Sequence, residues 1–329
     1  MIDLLKLVLG LALLIGGGRL LVSNASALAS NLGVSKLAIG MTVVAFGTSS
    51  PELAVNTIAA LRGNGDIAFG NVMGSNLANI GLILGLAAIV RTLTIQGIVI
   101  TREIPMMLLA SVAVLVMGLD GLAGDAISQY DRSEAIVLLL FFTVFLYYTV
   151  GDTIAQSTND PIAEQLDHGR APVVMSLART AALMFAGLLG LSIGGHLTVE
   201  GTVGLAATIG VPDAIVGLTV VAVGTSLPEL STSVIAARHG ENDLAIGNVV
   251  GSNIFNLLFV LAISALIRPI PIPRGGLVDL CAIVIFSAFL WLICSAYGGR
   301  RITHAKGWLL LGTYLIYMAV RAVSFSVPS

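Results

Sequence analysis

Polar positions carry the information in this chain because they are scarce. Apolar runs of about 20 residues, the length that spans a bilayer, recur from end to end. They predict helices over 3–31, 36–62, 66–91, 101–118 and 133–150, and again over 173–208, 213–238, 243–267, 276–296 and 305–324. Only GDTIAQSTNDPIAEQLDHGRAP, at 151–172, is clearly polar, and it reads as a short linker, too small for a soluble domain.

The second pattern is a repeat. With a shift of 177 residues, 40–95 lies on 217–272 without a gap, and 28 of 56 positions are identical. The same shift sets Gly17, Gly18, Leu20 and Val22 of the first helix on Gly194, Gly195, Leu197 and Val199. Lys6, the apolar run behind it and Ala27–Ala29 imitate a secretory leader. A leader has no reason to match an internal segment, so residues 1–31 are expected in the mature fold.

The predicted fold is therefore an all-α membrane protein of ten transmembrane helices in two five-helix repeats, 1–150 and 173–329, joined by a short cytoplasmic linker at 151–172. Five is odd, so the two halves enter the membrane in opposite directions, as inverted-topology repeats. With both termini outside, cytoplasmic segments hold nine Lys and Arg (Lys36, Arg91, Arg102, Arg170, Arg179, Arg238, Arg300, Arg301, Lys306) and outer ones hold six. That bias favours termini outside.

Composition agrees: 57% of residues are hydrophobic and 10% charged, against about 25% charged in soluble domains. With a net charge of −2, nothing suggests nucleic-acid binding. Cys281 and Cys294 lie too far apart along one predicted helix for a disulfide.

Against this background GTSSPEL (47–53) and GTSLPEL (224–230) stand out. Pro51 and Pro228 remove the helix bonds to the carbonyls of Gly47 and Gly224. Thr48 and Glu52 share a helix face, as do Thr225 and Glu229. A carboxylate at mid-membrane costs about 3 kcal/mol or more, and this chain places two at matching positions. In the following helices, GNVMGSNLAN (70–79) matches GNVVGSNIFN (247–256), aligning Asn71, Ser75 and Asn79 in one stripe and Asn248, Ser252 and Asn256 in the other. Ser75, Asn79, Ser252 and Asn256 are read as ligands; Asn71, Asn76, Asn248 and Asn253 suit helix glue or ligation equally. Gly70/Gly74 and Gly247/Gly251 allow close helix approach. All donors are oxygen, which suits hard cations, and two carboxylates balance one divalent charge, so Ca²⁺ fits best. His196 is read as interfacial, Ser50 as packing because its match is Leu227, and Asp66 and Asp243 as helix N-caps. No nucleophile–base pair or P-loop is present, so neither enzyme activity nor a cofactor is expected.

These four motif copies resemble the two alpha-repeats of the calcium/cation antiporter superfamily, with prokaryotic sodium/calcium exchangers as the nearest branch. The resemblance implies a cation site among helices 2, 3, 7 and 8. Glu52 and Glu229 would be its central carboxylates. Thr48, Ser49, Thr225, Ser226 and the carbonyls of Ala45 and Ala222 would add oxygens. Ser75 and Ser252 would line flanking sodium sites, with Asn79 and Asn256 completing the middle. Some relatives carry Asp where this chain has Asn256, notably potassium-dependent exchangers, so potassium-independent transport is implied. Proton/calcium relatives place a Glu shortly after "GN" in the third helix, and that Glu is missing here.

The expectation is a sodium-driven calcium antiporter working by alternating access in a prokaryotic plasma (inner) membrane. Its partners are calcium and sodium ions and the lipid bilayer, with no nucleic acid and no obligatory protein partner. A proton-coupled exchanger of the same fold is the alternative; a cation channel fits an internally inverted single chain poorly.

Overall fold

The computed structural model describes residues 2–119, 128–159, 176–208, 224–295 and 300–326. Helices dominate. In the first half they are α1 (Ile2–Leu32), the bent α2 (Lys36–Thr48 and Ser50–Arg62), α3 (Gly65–Val90), α4 (Val99–Met117) and α5 (Arg132–Asn159). The second half supplies α6 (Leu177–Thr208), α7 (Leu227–His239), α8 (Asn242–Ile267), α9 (Gly276–Ser295) and α10 (His304–Ser326). Among the described residues, seven of these are long and apolar enough to cross a membrane, or eight with the bent α2 as one span. The expected start of α7, 213–223, lies outside the described residues, as does most of the linker. α5 runs to Asn159, nine residues past its expected end at 150.

α3 and α8 form the centre. Each is 78% buried over its apolar stretch, whereas α1, α4, α5, α6 and α9 range from 22% to 44%. Their small residues permit this. A Cβ on Gly247 would stand 2.9 Å from the Leu37 carbonyl, and one on Gly251 2.5 Å from that of Met41, so α8 and the start of α2 touch backbone to backbone. Gly70 and Gly74, their matches, have nothing that close.

α1 and α6 lie along each other on a glycine seam. Added Cβ atoms on Gly17 and Gly194 would stand 2.7 and 2.8 Å from Gly187 O and Leu14 N. Lys6 pairs with Glu200 at 2.9 Å, and His196 with Glu200 at 3.0 Å. His196 is 72% exposed.

Two short antiparallel pairings tie the halves together. β1 (Leu93–Thr94), after α3, pairs with β4 (Arg301–Ile302), before α10; β2 (Gln129–Tyr130), before α5, pairs with β3 (Ile270–Pro271), after α8. Arginines repeat the exchange. Arg91 covers the left-handed C-cap Gly240 (φ 82°), and Arg268 covers Gly63 (φ 77°). Asp66 and Asp243 sit inside the first turns of α3 and α8 rather than at their N-caps, which are Asn64 and Glu241. Acidic groups there still suit the helix dipole. Cys281 and Cys294 are free.

Candidate cation-binding site

The break in α2 falls at Ser49. Pro51 supplies no N–H, and the axis turns by 44° between Thr48 and Ser50. Ser49 has φ −86° and ψ 7°; Ser226, before α7, has φ −87° and ψ 7°. Half-identical sequences thus produce the same backbone conformation at Ser49 and Ser226.

Those hydroxyls cross between the halves. Ser49 Oγ donates to Glu229 Oε1 at 2.8 Å, and Ser226 Oγ donates to Glu52 Oε1 at 3.4 Å. Thr48 Oγ1 donates to Asn248 Oδ1 at 3.0 Å, and Thr225 Oγ1 to Asn71 Oδ1 at 3.2 Å. Each asparagine is held from behind: Asn248 donates to Ser233 Oγ at 3.0 Å, and Asn71 to Asn56 Oδ1 at 2.6 Å. Asn71 and Asn248 therefore orient threonines. Asn56 and Ser233 were missed by the sequence reading, although they match in the repeat and both are polar; each is fully buried.

Asn79 and Asn256 each open a π-helical turn, Asn79–Ile83 and Asn256–Val260, a distortion common at functional sites. Asn79 Nδ2 donates to Asn253 Oδ1 at 3.0 Å, and Asn253 Nδ2 points at Met107 Sδ, 3.3 Å away. The mirror chain is not made: Val284 replaces Met107, and Asn76 donates back to Val72 O at 2.7 Å.

Several buried polar atoms of the matching motifs remain without a hydrogen-bond partner. Glu52 Oε2, Glu229 Oε2, Ser75 Oγ, Ser252 Oγ, Asn79 Oδ1 and both polar atoms of the Asn256 amide are buried without a hydrogen-bond partner. These six residues are at most 1% exposed. A buried unsatisfied polar group costs about 1–3 kcal/mol, more when charged, and so many on matching positions of two repeats call for a bound species. Among the described residues no three His, Cys, Asp or Glu gather where they could hold a metal ion; the polar groups brought together at the matching positions are two carboxylates, hydroxyls and amides.

Backbone carbonyls contribute less than expected. The carbonyl that Pro51 frees, Gly47 O, accepts from Ser50 Oγ at 2.8 Å, so Ser50 replaces the lost amide. Leu227 has no hydroxyl to do the same for Gly224. Ala45 O accepts from Ser49 N at 2.9 Å; Thr48 Oγ1 lies 3.3 Å from it but has one proton to give, and the shorter contact is to Asn248. Ala222 lies outside the described residues. Thr225, with Pro51, Pro228 and His196, lines a cavity of about 190 Å³ beside the site.

A family model described as "Sodium/calcium exchanger protein" matches residues 3–151 and 179–323. The chain belongs to the sodium/calcium exchanger family. Among relatives of this exchanger, the inner membrane protein YrbG of Escherichia coli is 37% identical over 290 residues, covering 85% of this chain and 84% of that one. The sodium/calcium exchanger MaX1 of Methanosarcina acetivorans is 30% identical over 351 residues, covering 97% and 98%. Solved structures of the sodium-calcium exchanger NCX_Mj superpose with a TM-score of 0.81 at 31% identity, covering 97% of this chain and 98% of that one. The exchanger is thus a multi-pass membrane protein of a cation-antiporter family, a family of transporters and not of enzymes.

Proposed function

We propose that this chain exchanges sodium for calcium by alternating access, at a midplane site charged by Glu52 and Glu229. The observation that carries the reading is the set of orphaned oxygens on Glu52, Glu229, Ser75, Ser252, Asn79 and Asn256. Ca²⁺ takes six to eight oxygens and two negative charges neutralise it. Sodium ions use the same oxygens and the same two charges, so the ions exclude one another. That exclusion is what couples their movements.

Ser49, Thr48, Ser226 and Thr225 donate their protons to the carboxylates and asparagines and keep lone pairs for a cation. Ala45 and Ala222 complete the proposed set through their carbonyls. Asn256, uncharged, favours independence from potassium.

The cross-half contacts support ten spans in two inverted halves, 1–150 and 173–329. β1 with β4 and Lys36 with Glu241 at 2.8 Å fit one face. β2 with β3 and Arg268 over Gly63 fit the other. The smooth α1–α6 seam supports these helices moving as one unit past the site. The arginine and lysine bias supports termini outside, and the name of the Escherichia coli relative supports the plasma (inner) membrane.

The test is transport by the purified chain in liposomes loaded with sodium and diluted into sodium-free buffer. Calcium uptake that collapses when the sodium gradient is removed supports the reading. Uptake that ignores sodium and follows a pH gradient overturns sodium coupling.

A further inference from the structure

Arg19 is a charge within the apolar helix α1. It follows Gly18, whose added Cβ would touch Ile235 and Ser231 of α7. That sets Arg19 about 6 Å inward of His239, the last residue of α7, at 1.5 Å per residue. An arginine within a span costs about 2.5 kcal/mol or more unless a counter-charge meets it. Among the described residues no carboxylate does so: Lys6, Lys36, Arg102, His196 and Arg321 have acidic partners, and Arg19 and Arg238 do not.

Arg19, Arg238 and His239 instead line one cavity of about 630 Å³. Apart from Ser231 the rest of its wall is apolar, including Leu86, Val90, Val234 and Ile235, and among the described residues it contains no acidic one. Arg91 adds a further positive group at its edge, donating to the Arg238 carbonyl at 3.2 Å. Ile15 and Val90 on the rim are 50% and 44% exposed, so the cavity opens sideways, where a membrane protein meets lipid. It lies at the end of α7, on the face where the lysine and arginine excess puts the cytoplasm, the side of anionic headgroups.

We infer that this cavity binds one anionic phospholipid, its phosphate held between Arg19, Arg238 and His239 and an acyl chain laid along Leu86, Val234 and Ile235. The cationic lining selects against zwitterionic lipid. The apolar wall selects against a free anion. Such a lipid bridges α1 to α3 and α7. The inference stands apart from the transport reading and is tested by binding alone.

The full chain, purified in detergent, is titrated with phosphatidylglycerol and with phosphatidylcholine and read by native mass spectrometry. Phosphatidylglycerol is expected to bind about thirtyfold tighter, since each of two basic groups near a headgroup contributes roughly fivefold. Arg19→Gln with Arg238→Gln is expected to reduce that preference to within about twofold. The exposed Arg238→Gln alone, which carries less folding risk, is expected to cost about fivefold. Arg62→Gln, at the opposite face, is the control and keeps the preference. Equal binding of the two lipids by the parent chain overturns the inference. So does a double variant that retains the preference, or full displacement of phosphatidylglycerol by millimolar inorganic phosphate, which marks a free-anion site.

Discussion

Ser49 of the first repeat donates a hydrogen bond at 2.8 Å to Glu229 of the second, while Ser226 reaches Glu52 only at 3.4 Å. The carboxylate of each half is thus served by the other half, and unequally. Ser49→Ala strips Glu229 of a good donor, whereas Ser226→Ala removes a bond at the limit of hydrogen-bonding geometry. Ser49→Ala is expected to weaken calcium binding about tenfold and Ser226→Ala about twofold to threefold, within the range for hydrogen bonds to charged groups. Isothermal titration of the two variants checks the order; equal losses would sink the argument from distance.

The two glutamates supply all the formal charge proposed for the site. Glu52→Gln and Glu229→Gln each leave one negative charge facing a divalent ion. Each is expected to lower calcium exchange at least about hundredfold, or roughly 2.7 kcal/mol. Both variants should remain folded, because a buried amide replaces a carboxylate of the same shape. Calcium flux in proteoliposomes measures this, and full exchange by either variant rules out that carboxylate.

Asn79 is pinned by Asn253, and Asn253 contacts Met107; Asn76 only bonds its own helix. Asn253→Ala should therefore raise the calcium concentration for half-maximal uptake about fivefold while leaving the maximal rate near normal. Asn76→Ala should raise it less than about twofold, and Met107→Leu should fall between. Uptake curves against calcium decide, and an Asn76→Ala effect as large as that of Asn253→Ala contradicts the asymmetry.

The α1–α6 seam yields a stability test. A Cβ on Gly17 meets Gly187 O at 2.7 Å and Leu191 N at 2.9 Å, while one on Gly16 meets nothing within 4 Å. Gly17→Ala is expected to destabilise by about 1–3 kcal/mol through overpacking. Gly16→Ala should be neutral or slightly stabilising, since alanine favours the helix by about 1 kcal/mol. Thermal unfolding in detergent compares the two directly.

The repeat made much of this legible. Glu52 matches Glu229 and Asn79 matches Asn256 because buried polar positions repeat at a fixed offset, and burial follows from helix periodicity. Backbone detail was not legible. Whether the Gly47 carbonyl freed by Pro51 stays free depends on the rotamer of Ser50, which spends its hydroxyl on it. The π turns at Asn79 and Asn256 also left no signal in composition, since an extra residue per turn does not alter which residue types are present. Asn56 and Ser233 could have been found as polar matches, but their side chains differ and the identity count passes over them.

The exchange of hydroxyls between halves has a consequence for biogenesis. Ser226 follows Glu52 by 174 residues. At 5–20 residues per second, the ribosome makes Glu52 about 9–35 s before its hydroxyl partner exists. For that interval the nascent first repeat carries an ionisable group in a lipid environment with half of its surroundings unsynthesised. Insertion of the second repeat is therefore the event that finishes the first, and a ribosome stalled between them would leave a segment for quality control to remove.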